Sequence, residues 1–164
     1  MWCSKEQVPQ LIDFYVNKHK CKMNILVWCK TNSVPATNDT WLPNIEICLV
    51  FKGKGAARYN DGYDLKSKWY LSSTNKEDKD NYGHPTCKPL TLVERHLKHS
   101  VANKDWVVLD PFVGSGTTTL AAKHIGCKWI GFEVNKKYYD ICVKRMSGEN
   151  AKGELNLFDI DYED

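Results

Sequence analysis

The pattern of apolar and polar positions predicts a strand, a glycine-rich loop and a helix between residues 106 and 126. Positions 106–109 form a short apolar run rich in β-branched side chains, and the apolar residues after the loop recur at helical spacing as far as Ile125. Gly126 suits the C′ position that ends a helix, and residues 128–132 form a second apolar run that ends at Glu133. Two strands joined through a helix indicate a βαβ unit.

Residues before this unit predict a helix and two strands. Ser4 and Gln7 fit a capping box with Ser4 as N-cap, although Pro9 would sit late in the first turn and move the start of the helix. The continuous apolar run at 23–29 is typical of a strand buried on both faces, and residues 45–52 predict a further strand.

Two more helices are expected around the βαβ unit. Residues 88–101 predict a helix with Pro89 in its first turn, and Asn135 can cap a last helix that ends near Gly148. The charged run at 75–82 is interpreted as a loop, because its lysines and acids nearly cancel.

The loop chemistry favours a ligand that contains a nucleoside. Gly114 and Gly116 let the backbone pass close to a ligand, and Glu133, 23 positions after Asp110, suits a carboxylate that accepts hydrogen bonds from ribose hydroxyls. Thr119 stands where a dinucleotide fingerprint needs glycine, and the Asp110 carboxylate disfavours phosphate but favours a cationic or amine-bearing ligand. A glycine-rich turn in an α/β protein without a nucleotide is the alternative.

Composition limits the class of protein without identifying it. The chain has 164 residues, 42% of them hydrophobic and 26% charged, which is ordinary for one globular domain. No apolar run is long enough to span a membrane, and the start lacks a secretion signal pattern. The seven cysteines never form a Cys-x-x-Cys pair, so reduced thiols in a cytoplasmic protein without a metal site are expected.

Two motifs carry a resemblance to a known family. The run Leu109-Asp110-Pro111-Phe112-Val113-Gly114-Ser115-Gly116-Thr117-Thr118 resembles the S-adenosylmethionine motif of the DNA amino-methyltransferases, which modify adenine N6 or cytosine N4. Upstream, His84-Pro85-Thr86-Cys87-Lys88-Pro89 is similar to the His-Pro-Thr-x-Lys-Pro motif of the same family. Their order matches the permuted, beta-type arrangement, and the resemblance runs from about Trp2 to about Met146.

The resemblance implies an α/β fold of the Rossmann-like class I methyltransferase type, with helices on both faces of the sheet. It also implies S-adenosylmethionine as cofactor, with Thr86 and Lys88 near its amino-acid end. The expected cofactor-binding residues are Asp110, Phe112, Gly114, Ser115, Gly116, Thr117, Glu133, Thr86 and Lys88. We expect a single, partial domain over 1–164, with a small target-recognition or loop region at 53–83 and a cofactor-binding region at 84–148.

The family's catalytic Asp/Asn/Ser-Pro-Pro-aromatic tetrapeptide does not occur in this sequence. In the family it precedes the segment that matches Met1, and its strand lies between those matching 107–110 and 25–29. The sheet is therefore expected to lack one or two strands, which a companion chain or a second copy would supply. Direct pairing of the two flanking strands and an altered fold are the alternatives.

The middle of the chain combines basic and aromatic residues, which suits double-stranded DNA but also suits a solvated surface loop. The candidate nucleic-acid contacts are Lys52, Lys54, Arg58, Lys66 and Lys68. Three functions remain: the cofactor half of a DNA amino-methyltransferase, an inactive remnant that binds S-adenosylmethionine or nucleic acid, or a protein that has lost both ligands. The first is preferred, with adenine N6 slightly favoured as target, no catalytic residue assigned, and RNA left open as a substrate.

Overall fold

The computed structural model describes residues 1–35, 41–56, 62–74, 76–82 and 87–148. The chain divides into two compact units, residues 1–74 and residues 75–164. Each unit carries its own β-sheet and is described separately.

The first unit contains a mixed sheet built around one long strand. Its strands are β1 (Trp2–Cys3), β2 (Lys22–Lys30), β3 (Ile45–Lys52) and β4 (Trp69–Ser72), in the spatial order β1-β3-β2-β4. β2 pairs antiparallel with β3 and parallel with β4. The predicted strands at 23–29 and 45–52 are both confirmed, and β3 has the predicted bounds.

The first helix starts later than the sequence predicts. α1 (Val8–Ile12) has Gln7 as its N-cap and continues as a π-helix over Asp13–Lys18. The prediction that Ser4 is the N-cap is wrong, because the helix begins only at Val8. One half of the capping box is nevertheless present in the turn before the helix, where Gln7 Oε1 accepts the Ser4 N–H at 2.9 Å. Pro9 lies in the first turn of this later helix, where its missing N–H costs no helical hydrogen bond.

β2 is only partly buried. The Trp28 side chain is 1% exposed and donates from Nε1 to Ser72 Oγ at 2.8 Å, whereas Ile25 is 44% exposed. The prediction that this strand is buried on both faces is therefore wrong at Ile25. The reason is the register of β4, which pairs with β2 only from Val27 onward.

The second unit contains the predicted βαβ arrangement. Its elements are α2 (Lys76–Tyr82), α3 (Leu90–Ser100), β5 (Val107–Asp110), α4 (Thr117–His124), β6 (Lys128–Gly131) and α5 (Lys136–Met146). β5 and β6 pair in parallel, from Val107 opposite Lys128 to Asp110 opposite Gly131. α4 packs on both strands, while α3 and α5 pack on α4.

The helix ends follow local capping chemistry. Gly126 has φ +75° just after α4, and Asn135 Oδ1 accepts a hydrogen bond from the Lys137 N–H at 3.0 Å at the start of α5. α3 begins after Pro89, which is its N-cap instead of a first-turn residue. The two-residue delay has a steric cause, because a residue that precedes proline, here Lys88, is disfavoured in helical conformation.

The charged run before the first motif is helical over Lys76–Tyr82, so the prediction of a loop is wrong there, while Asn75 lies outside the described residues. α2 spans Lys76–Tyr82 and ends on the buried ring of Tyr82. Burial of this single aromatic side chain provides the tertiary contact that a short, polar helix needs.

One side of the β5–β6 pair carries apolar side chains that lie open to solvent. These side chains belong to Val107, Leu109 and Ile130, which are 50%, 61% and 48% exposed. By contrast, Leu120 of α4, the helix that packs on the two strands, is buried. Within the described ranges β5 pairs only with β6. Among the helices of these ranges, none has the length and apolar character needed to cross a membrane.

Candidate cofactor-binding site

The glycine loop leaves the sheet at the carboxyl end of β5, where Asp110 lies beside Gly131 of β6. Two further hydrogen bonds extend this pairing past the strands: the Phe132 N–H donates to Asp110 O at 3.0 Å, and the Val113 N–H donates to Phe132 O at 3.0 Å. Ligands of α/β proteins bind at this end of a parallel sheet. The loop and Glu133 are therefore brought to one place, as predicted.

Asp110 closes the turn after β5 and keeps part of its carboxylate available. Its Oδ1 accepts the Phe112 N–H at 3.0 Å, which is an Asx-type turn. Within the described part of the chain, Oδ2 accepts no hydrogen bond. This oxygen of the half-buried Asp110 can accept a hydrogen bond from an amine or hydroxyl of a ligand.

Glu133 is fixed by two backbone donors. Its Oε2 accepts the Gly114 N–H at 3.0 Å, and its Oε1 accepts the Asn135 N–H at 2.8 Å. Hydrogen bonds to an ionised carboxylate are stronger than neutral ones, so the side chain is held at the mouth of the loop. Each oxygen retains a second lone pair, which can accept a ribose hydroxyl.

The loop glycines are required by its conformation. Gly116 has φ +86° and is the N-cap of α4, and a Cβ added there would lie 2.8 Å from Cys142 Sγ. Gly114 also has a positive φ, of +56°. At Gly131, a Cβ would lie 3.1 Å from a methyl carbon of Thr119, so glycine lets α4 pack closely on β6.

A cavity of about 310 Å³ opens beside the loop. Its lining residues are Pro111, Phe112, Phe132, Glu133 and Val134. Phe112 and Phe132 are 86% and 58% exposed, and Glu133 contributes the one carboxylate of this lining. Flat apolar surfaces with one hydroxyl acceptor suit a nucleoside, in which an aromatic base is joined to a sugar.

A polar cluster lies beneath the loop, and its key residue was not predicted from the sequence. Arg145, in the last turn of α5, is 1% exposed and donates from Nη1 to Thr117 Oγ1 at 2.9 Å. Cys87 Sγ accepts from Ser115 Oγ at 3.4 Å in the same cluster. In the sequence, Arg145 resembles any basic residue that complements the dipole at a helix end, so no local signal marks it as buried.

Cys142 is buried and packs against Gly116. Burial raises the pKa of its thiol, while the hydrogen bond with Thr119 and the charge of Arg145 oppose that rise. The thiol is therefore the uncharged form at neutral pH and packs as a small apolar group. None of the seven cysteines, all of which lie in the described ranges, forms a disulfide.

The remaining predicted cofactor residues are only partly described. Thr86 lies outside the described residues, and Lys88 is half-buried directly before α3. No group of His, Cys, Asp and Glu side chains in the described ranges could hold a metal ion.

Two of the predicted nucleic-acid residues, Lys52 and Lys68, lie at different levels of the first unit's sheet. Lys52 ends β3 opposite Lys22, whereas Lys68 precedes Trp69, which is level with Val27 of β2. Five residues along a strand separate these levels by about 17 Å. Lys54, Lys66 and Lys68 are exposed, and Arg58 lies outside the described residues. Their contact with DNA stays a prediction.

Comparison with known proteins gives a family match over most of the chain. The sequence model described as DNA methylase, for the N6 and N4 enzymes, matches residues 1–144. The chain belongs to this family. The family match, together with a solved neighbour in complex with S-adenosylmethionine, supports this molecule as the cofactor.

Individual relatives agree with the family match. The chain is 36% identical over 140 residues to the type II methyltransferase M2.DpnII of Streptococcus pneumoniae, covering 78% of this chain and 52% of that protein. It is 34% identical over 155 residues to the type II methyltransferase M.HinfI of Haemophilus influenzae, covering 85% of this chain and 41% of that protein. The chain thus spans about half the length of these relatives.

Solved structures support the fold. The crystal structure of the M1.HpyAVI–SAM complex matches with a TM-score of 0.75 and 29% identity, over 88% of this chain and 71% of that chain. The PvuII cytosine-N4 methyltransferase matches with a TM-score of 0.68 at 18% identity, over 85% and 56% of the two chains. The fold is that of a Rossmann-like class I methyltransferase, in agreement with the sequence prediction.

Proposed function

We propose that this chain binds S-adenosylmethionine at the site formed by Asp110, the glycine loop and Glu133, and that it is the cofactor-binding part of a DNA amino-methyltransferase. The observation that carries the proposal is the carboxylate of Glu133, fixed by two N–H groups beside an apolar cavity. When bound, S-adenosylmethionine supplies an electrophilic methyl group on a positively charged sulfur.

The residues of the site act by binding and orientation. Glu133 accepts the ribose hydroxyls, and Phe112 and Phe132 cover the adenine ring in the cavity. Asp110 stabilises the positively charged ligand, because its free oxygen adds negative charge at the carboxyl end of β5. Lys88 and Thr86, from the other motif, meet the amino-acid carboxylate of the cofactor.

Methyl transfer requires a further polypeptide segment that carries the Asp-Pro-Pro-Tyr type of catalytic motif. The exposed apolar side chains of Val107, Leu109 and Ile130 support this proposal, since packing of another segment on the β5–β6 pair would bury them. The substrate is double-stranded DNA, and the methylated position is the exocyclic amine of adenine in preference to that of cytosine.

The test is transfer of labelled methyl from S-adenosylmethionine to duplex DNA. The purified chain is assayed alone and with a separately produced segment, taken from a family member, that carries the Asp-Pro-Pro-Tyr type of motif. We expect label in DNA only for the mixture, and loss of that label with Asp110→Ala. Hydrolysis of the DNA identifies N6-methyladenine or N4-methylcytosine.

Two outcomes would contradict parts of the proposal. Transfer by the chain alone would show that no further segment is needed. Absence of S-adenosylmethionine binding by the folded chain would refute the cofactor site itself.

A further inference from the structure

Arg145 is almost completely buried, which is rare for an arginine. Its side chain is 1% exposed, and its Nη1 lies 2.9 Å from Thr117 Oγ1, 3.5 Å from Ser115 O and 3.6 Å from Cys87 Sγ. Its guanidinium carbon lies 4.2 Å from the centre of the Tyr82 ring. One side chain thereby contacts the end of α2, the segment before α3, the glycine loop and the first turn of α4.

These contacts include both neighbours of Gly116. The guanidinium reaches the carbonyl of Ser115 and the hydroxyl of Thr117, and Gly116 between them has φ +86°. On the other side of the loop, Glu133 accepts the Gly114 N–H. The loop is therefore held from beneath by a cation, which contacts the Ser115 carbonyl and the Thr117 hydroxyl, and at its mouth by an anion, which accepts the Gly114 N–H.

The energetics favour a positioning role over a packing role. Removing a guanidinium from water costs several kcal/mol, so an apolar side chain of similar volume would stabilise these helices at least as well. What an apolar side chain cannot do is donate to Ser115 O and Thr117 Oγ1. The planar, rigid arrangement of the arginine N–H groups fixes the direction of the acceptors that it contacts.

We propose that Arg145 is a positioning residue of the cofactor site, which holds Ser115 and Thr117 so that the glycine loop keeps its ligand-binding conformation. The inference rests on the proposed function, because it assigns to the loop the binding of S-adenosylmethionine. Arg145 lies beneath the loop, so it acts through the backbone and does not touch the cofactor.

The experiment compares the full chain with Arg145→Met, Arg145→Lys and Arg145→Ala. Hydrogen bonds to charged groups contribute about 1.5–3 kcal/mol, so Arg145→Met raises the Kd for S-adenosylmethionine by roughly 10- to 150-fold. Arg145→Lys keeps the positive charge and a single donor nitrogen but loses the planar guanidinium, so we expect an intermediate Kd. Ile141→Ala is the matched control, because Ile141 is buried in the same helix but has no side-chain donor for the loop.

Two readouts separate positioning from a general loss of stability. Millimolar methylguanidinium restores the affinity of Arg145→Ala, because it refills the site with the same donors, whereas methylammonium does not. Amide hydrogen exchange of residues 114–117, measured without cofactor, is at least about tenfold faster in Arg145→Met and unchanged in Ile141→Ala.

The outcomes also distinguish this inference from the proposed function. Unchanged Kd and unchanged loop exchange in Arg145→Met would overturn the positioning role while leaving the cofactor site intact. Equal losses in Arg145→Met and Ile141→Ala, without rescue by methylguanidinium, would overturn it as well. A further outcome separates the two proposals. If the wild-type chain binds no S-adenosylmethionine but Arg145→Met still speeds amide exchange of residues 114–117, the proposed function is wrong, whereas the stabilisation of the loop by Arg145 is supported.

Discussion

Replacement of Gly116 by alanine tests the geometry of the loop most sharply. Gly116 has φ +86°, in the left-handed region that side chains with a Cβ disfavour. A Cβ at this position would also lie 2.8 Å from Cys142 Sγ and 3.4 Å from Cys142 Cα. Gly116→Ala therefore meets a conformational cost and a steric cost together.

The two costs can be separated by a second glycine at the other end of the same helix. Gly126 has φ +75°, but an added Cβ there would meet only the flexible Lys104 side chain, at 3.6 Å or more. Gly126→Ala should destabilise the second unit by about 1–2 kcal/mol, the cost of the left-handed conformation. Gly116→Ala should cost about 1–3 kcal/mol more, because overpacking in a close-packed interior is added.

The assay is the opening free energy of α4, measured by native-state hydrogen exchange in both variants, together with the Kd for S-adenosylmethionine. A double-mutant cycle with Cys142→Ala isolates the steric part, since removal of Sγ leaves only the 3.4 Å contacts. We expect Gly116→Ala to be less destabilising in the Cys142→Ala background. Equal effects of Gly116→Ala and Gly126→Ala, or no coupling to Cys142, would refute the reasoning.

Two further predictions concern stability. Burial of its ring, aided by the charge of Arg95, lowers the pKa of His96 to about 4, so the folded chain binds fewer protons than the unfolded chain between pH 6.5 and 4. The free energy of unfolding should then decrease as the pH is lowered through that window, by at most about 1.4 kcal/mol per pH unit. His96→Gln should flatten this slope in acid titrations of urea unfolding. Asn135→Ala removes the cap of α5 and should cost about 1 kcal/mol by the same urea assay, with little change in Kd; a large rise in Kd would contradict a purely capping role.

Local signals explain why the βαβ unit could be predicted from the sequence. Gly126 and Asn135 end and begin helices through their own backbone and side chain, so their neighbours in sequence are sufficient to place them. The partnership of Asp110 with the glycine loop is equally local, because its Oδ1 bonds the N–H two residues later. For these reasons the loop, its carboxylates and the order of the elements agree with the prediction.

The parts that were not predicted depend on tertiary contacts. α2 is polar and is stabilised by burial of Tyr82. The ring of Tyr82 packs against the guanidinium of Arg145, 63 positions later in the chain. Arg145 itself looks like a solvated basic residue until the fold brings it under Ser115. The exposure of Ile25 depends on the register of β4, which the sequence pattern of β2 does not contain.

Binding of S-adenosylmethionine to the purified chain tests the central claim most directly. Calorimetric titration of the wild type should show one site, and Glu133→Ala should raise the Kd by roughly tenfold or more, because the acceptor for the ribose and the hold on Gly114 are lost together. Asp140→Ala is the matched control, since Asp140 is an exposed acid of α5 whose ion-pair partner, within the described residues, is Lys136 at 2.8 Å. Equal affinity of Glu133→Ala and wild type, or no binding by the folded wild-type chain, would contradict the account.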